Sequence, residues 1–116
     1  MSEDAKEPTE VRVRVGDFES SRRVEYVSFR GTELKSMVPV VMEYHEEFGR
    51  TRHYTLYETP DEGLKIHELE TVRLGSEVRQ PGQRSAEVRE VAARLFTEEE
   101  LRQERPEIAR NFLSGN

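Results

Sequence analysis

The sequence predicts an α+β protein: an antiparallel β-meander of four to five strands followed by two to three short C-terminal helices. Three observations lead there. The N-terminal half alternates apolar and polar residues in short runs, most plainly VRVRV at 11–15, the pattern of a half-buried strand. HYTLYETPDEGLKIHELE at 53–70 places two such runs about a turn-forming centre, which reads as a hairpin. Past residue 85 the apolar spacing lengthens to three and four and capping residues enter, which marks helices.

Residues 1–9 are acidic with almost nothing apolar. A disordered tail is expected there and one domain over 10–116, with the meander in 10–74 and the helical part in 86–114. The first strand turns Val11, Val13 and Val15 inward and Arg12 and Arg14 outward, and GDFESS (16–21) supplies turn chemistry. RRVEYVSF (22–29) is the next strand. Its apolar positions slip from Val24 and Tyr26 to Val27 and Phe29, as a bulge or two-sided burial requires.

Segment 33–48 fits two patterns. Leu34, Met37, Val38, Val41, His45 and Phe48 make a helical stripe, but Pro39 inside that helix would cost about 3 kcal/mol. A strand over 37–46, bending at Gly49, is the preferred reading, with the helix as its alternative. The hairpin follows, with strands near 52–58 and 64–72 about TPDEG. Pairing Glu58 with Leu64 sets Leu56 opposite Ile66 and Thr55 opposite His67. Tyr54, Leu56, Leu64 and Ile66 then share an apolar face, and His53, Thr55, Tyr57, Lys65 and His67 share the other.

Residues 75–85 read as a loop. SAEVREVAARLF (85–96) has Ser85 as a cap and Val88, Val91, Ala92, Leu95 and Phe96 as one stripe, so a helix is predicted. Thr97 and Glu100 spell a capping box. Pro106 is expected to open or kink a further helix, and Gly115 to end it.

Composition limits the function. The chain has no cysteine, which removes disulfides, thiolate metal ligands and a cysteine nucleophile. No apolar run approaches the roughly 18 residues of a membrane helix, and the polar start lacks the features of a signal peptide, so a cytoplasmic protein without a membrane partner is expected. The net charge is −6, which argues against a surface dominated by phosphate binding. Residues 10–57 balance eight basic against eight acidic side chains. Arg outnumbers Lys 15 to 3 and Glu outnumbers Asp 21 to 3, a thermophile-like composition suited to surface ion pairs that points to a prokaryotic or viral source.

His53 and His67 would be diagonal neighbours on the polar hairpin face, about 7–8 Å apart. Zinc, however, wants three or four protein ligands, and a third would have to come from His45 or a glutamate. No metal and no cofactor are expected. Neither a nucleophile elbow nor a phosphate-cradling glycine loop is present, so an acid–base or metal enzyme on His45, His53 and His67 is the remotest alternative. Arg12, Arg14, Arg50 and Arg52, interleaved with aromatic residues, make nucleic-acid binding the nearer alternative, against local pairing of each Arg with Glu. The function expected is non-enzymatic binding through the sheet face or edges. Its contact residues would be His53, Thr55, Tyr57, Lys65 and His67, and its partner another protein or a second copy in a homodimer.

Overall fold

Among the described residues six strands precede two short helices: β1 (Thr9–Asp17), β2 (Glu25–Ser36), β3 (Val40–His45), β4 (Phe48–Thr59), β5 (Gly63–Leu74), β6 (Glu87–Thr97), α1 (Glu98–Glu104) and α2 (Pro106–Phe112). The computed structural model describes residues 7–19, 24–37, 40–75 and 87–113. The antiparallel meander and the two C-terminal helices are as expected, with six strands in place of four to five.

The β4–β5 hairpin has the register read from its sequence: Glu58 pairs with Leu64, Leu56 with Ile66 and Thr55 with His67. Its turn explains why the register holds. Thr59 Oγ1 accepts from the Glu62 amide at 2.9 Å and donates to the Gly63 carbonyl at 2.7 Å. Gly63 takes φ +75°, a left-handed conformation that glycine adopts without a Cβ clash. The strand preferred over 37–46 is β3, and the helical alternative for this segment is ruled out. Its bend lies at Glu46–Glu47 rather than at Gly49, which pairs with Tyr44 inside the ladder. Gly49 instead makes room for a neighbour, because a Cβ there would stand 3.3 Å from the Arg73 guanidinium.

β2 does two jobs. Residues 25–31 pair with β1, and residues 32–36 pair with β4. Gly31 sits at the change of partner, where a Cβ would meet the Glu58 carbonyl at 3.0 Å and the Phe29 ring at 3.1 Å. The irregularity expected near 24–27 falls instead between Glu33 and Lys35. At the other end Gly16 and Asp17 of β1 pair with Ala93 and Ala92 of β6. Because β1, β2, β4, β5 and β6 each pair with two others of these five, the meander closes into a ring, with β3 outside it as a third partner of β4.

The main correction concerns 85–96, expected as a helix: its described residues belong to strand β6, Glu87–Thr97. Ser85 lies outside the described residues, as do Gly115 and residues 76–85 of the expected loop. Within the strand, Ala93 pairs with Leu69 and Phe96 with Ile66, so the two buried side chains point to opposite faces. A register shift around Val91 adds a further break in the alternation. A strand buried on both faces and bulged once carries apolar residues at helical spacing. Its hydrogen bonds to β5 decide between the two forms. Residues 1–6 of the expected tail lie outside the described residues, and Thr9 already belongs to β1.

Tyr54, Leu56, Ile66 and Phe96 form one sheet surface that packs against Leu101, Ala109 and Phe112 of the helices. The capping box forms as read: the Glu100 amide donates to Thr97 Oγ1 at 3.1 Å and the Thr97 amide to Glu100 Oε1 at 2.9 Å. Pro106 opens α2, and Arg105 is the joint between the helices. From that joint its guanidinium reaches Glu68, a side chain only 4% exposed. Arg105 Nε donates to Glu68 Oε2 at 2.8 Å, and the Tyr54 hydroxyl donates to the same oxygen at 2.6 Å. Burial pushes the Glu68 carboxyl up, but these two donors, with the charges of Arg105 and Arg52, outweigh it and hold the carboxyl below its ordinary value. Burial and the hydrogen bond to Glu68 raise the Tyr54 hydroxyl to about 12.

Removing one partner of a buried ion pair strands the other charge. Arg105→Met is expected to cost about 3 kcal/mol in urea unfolding, and a loss below about 1 kcal/mol would show that the pair is not anchoring the helices. The folded state binds the Glu68 proton less readily than the unfolded state does. This stability is therefore present above the ordinary carboxyl range and is lost as the pH falls through the lowered folded value. Unfolding titrations should show an acid-side loss in the parent chain that Glu68→Gln lacks. Gly31→Ala is expected to destabilise the ring by about 1–3 kcal/mol, read in the same assay.

Candidate functional site

The sequence-derived contact residues are less open than their pattern implied. His53, Thr55, Tyr57, Lys65 and His67 share one face of the β4–β5 hairpin and are all half-buried, because the β1–β2 arm folds over part of that face. Tyr57 stacks edge-on against Phe29 at 5.3 Å between centroids. Lys65 Nζ lies 5.6 Å from the centre of the Phe29 ring and 3.4 Å from Glu62. His67 Nε2 donates to the Arg14 carbonyl at 3.0 Å. Burial, with a contribution from Glu33, raises the Tyr57 hydroxyl above its ordinary pKa.

The three histidines do not converge. His53 Nε2 is 3.3 Å from Thr71 Oγ1, His67 is bound to β1, and His45 pairs with Glu43 at 3.1 Å on an exposed strand. Among the described residues no group of three or more His, Asp or Glu is arranged to hold a metal ion. The four arginines considered for nucleic acid are divided between β1 and β4, which are not neighbours in the sheet. Arg12 lies over the Tyr26 ring at 4.1 Å and Arg14 pairs with Glu90 at 3.2 Å. Arg52 pairs with Glu70 at 3.1 Å, and Arg50 stands 3.9 Å from the same carboxylate.

A different surface emerges where the sheet runs on past the ring. β1 reaches β6 only near Ala92 and Ala93, and β2 covers β4 only at 55–58. β3, with residues 48–53 of β4, 69–74 of β5 and 87–90 of β6, therefore continues as a sheet without that cover. One face of this extension holds a groove of about 390 Å³ lined by Val41, Tyr44 and Val88, by Gly49, Thr51, His53 and Thr71, and by the charged Glu43 and Arg73. Val41, Tyr44 and Val88 are 62%, 63% and 66% exposed. His53 alone among the sequence-derived contact residues lines this groove. The apolar density of VPVVMEY was the signal for the rest, but it predicts a strand without showing whether that strand is covered.

No described helix is long and apolar enough to cross a membrane. Comparison of the chain with protein-family models, with curated proteins and with solved structures finds no match.

Two outcomes follow from this geometry. His67→Ala should cost about 1 kcal/mol through the lost bond to the Arg14 carbonyl, measured by chemical denaturation. Treatment with a strong chelator should leave the thermal midpoint where it was, whereas a drop of several degrees would reveal a bound structural ion.

Proposed function

We propose that this chain is a non-enzymatic binding protein that uses β3 and the adjoining groove to hold another protein chain. One observation carries the reading: β3, VVMEYH, has a single acidic residue, yet five of its six residues are exposed and Val40 is half-buried. A cluster of exposed large apolar side chains is the usual mark of a contact surface. Neighbouring groups suit a protein ligand. The groove combines aliphatic and aromatic walls with the polar groups of His53, Thr51 and Thr71 and the charges of Glu43 and Arg73, the mixture found where an extended segment lies along a sheet.

Affinity capture from the native host, run side by side with the parent chain and Val41→Glu, tests the reading. The variant replaces an exposed side chain, so its unfolding midpoint should stay within about 0.5 kcal/mol of the parent's stability. Species bound by the parent and lost with the variant support the proposal. If the variant retains every bound species, the contact surface lies elsewhere.

A further inference from the structure

Resting on that binding reading, we infer that the occupant of the β3 surface is a second copy of this chain. The two β3 strands pair antiparallel about a two-fold axis normal to the sheet, with Val41 of one copy opposite Tyr44 of the other.

The edge chemistry selects β3. Among the described residues its outer edge pairs with no strand, and it carries neither Lys nor Arg. The other edges left open over part of their length, 9–15 of β1, 25–31 of β2 and 87–90 of β6, read TEVRVRV, EYVSFRG and EVRE, and each is guarded by at least one arginine, as exposed edges commonly are by charge. The segment that joins β5 to β6 has little apolar surface to offer as cover. Residues 76–86, SEVRQPGQRSA, hold only Val78, Pro81 and Ala86 as non-polar side chains.

The register follows from charge and shape. With Val41 opposite Tyr44, Val40 faces His45 and Met42 faces Glu43, and each contact occurs twice. A β-branched residue opposite an aromatic one is a favourable cross-strand pair. No like charges meet, whereas a register centred on Glu43 would set the two carboxylates against each other.

A local irregularity makes this register possible. Val41 pairs with Thr51 and Glu43 with Arg50, so Met42 is an extra residue in β3. On a regular strand, residues three apart point to opposite faces. Here the bulge turns Val41 and Tyr44 to the same side, where both line the groove. Opposed residues of a pair share a face, so a two-fold normal to the sheet brings both Val41–Tyr44 contacts to one side. The two grooves then join across the axis.

The absence of cysteine from the chain allows a clean test. Opposed residues in an antiparallel pair lie about 4.5–5.5 Å apart at Cα, within disulfide range. The double variant Val41→Cys/Tyr44→Cys should yield a covalent dimer on mild oxidation, and each single-cysteine variant should stay largely uncoupled. In sedimentation equilibrium the parent should be a dimer. Met42→Glu, which faces Glu43 of the other copy, should raise its Kd about tenfold, and Met42→Lys should not. Circular dichroism verifies that these exposed-site variants remain folded.

A parent chain that is monomeric at every concentration overturns the inference, as does coupling of a single-cysteine variant as readily as the double. A monomer that still captures another protein through Val41 overturns self-pairing and leaves the binding reading standing. A monomer with no such capture removes both.

Discussion

The carboxylate of Glu68 is the point on which the arrangement of helices and sheet depends. Each helix has seven residues, well short of the roughly 12–15 needed for a helix to persist alone. Leu101, Ala109 and Phe112 give them an apolar underside, but apolar burial has little directional preference. Direction comes from Arg105, at the joint of the two helices, reaching the buried carboxylate of Glu68 on the core face. A buried charge is tolerated only when its partners replace the water it lost. Glu68 has two, Arg105 from the helices and Tyr54 from the next strand, so one side chain ties three parts of the fold together.

Closure of the ring has a second consequence. One side of β5 and β6 is covered by the helices, and part of the other lies under the β1–β2 arm. Polar residues on that second side are consequently given partners: His67 a backbone carbonyl, Lys65 a ring and a carboxylate, Tyr57 a ring. On β3, which lies outside the ring on the flank of β4, only Val40 packs against the core that the helices complete. Its exposed valine, methionine and tyrosine side chains result from that position.

Charge completes the contrast. Many of the arginines and glutamates meet across strands, as Arg52 meets Glu70, its partner in the ladder, and as Arg14 meets Glu90. Exposed pairs of this kind contribute little stability each. Their larger effect is to keep open sheet surfaces and edges from sticking to other chains. β3 is the strand from which this protection is missing.

Features set by neighbours in sequence were legible from the sequence by itself. The β4–β5 register followed from strict alternation on either side of a turn held by Thr59 and Gly63, since a slip of one residue would have turned Tyr54, Leu56 and Ile66 to the wrong face. The Thr97–Glu100 capping box and the helix start at Pro106 are likewise local chemistry, complete within four residues. Only the tertiary structure decided the rest. β6 carries a helical spacing of apolar residues and is nevertheless a strand, because β5 supplies its hydrogen bonds and cover on both faces buries Val91, Ala93 and Phe96. The hairpin face around Tyr57, Lys65 and His67 read as open because the arm that covers it is distant in the chain. β3 is left open because the ring closes without it, which its own sequence cannot show.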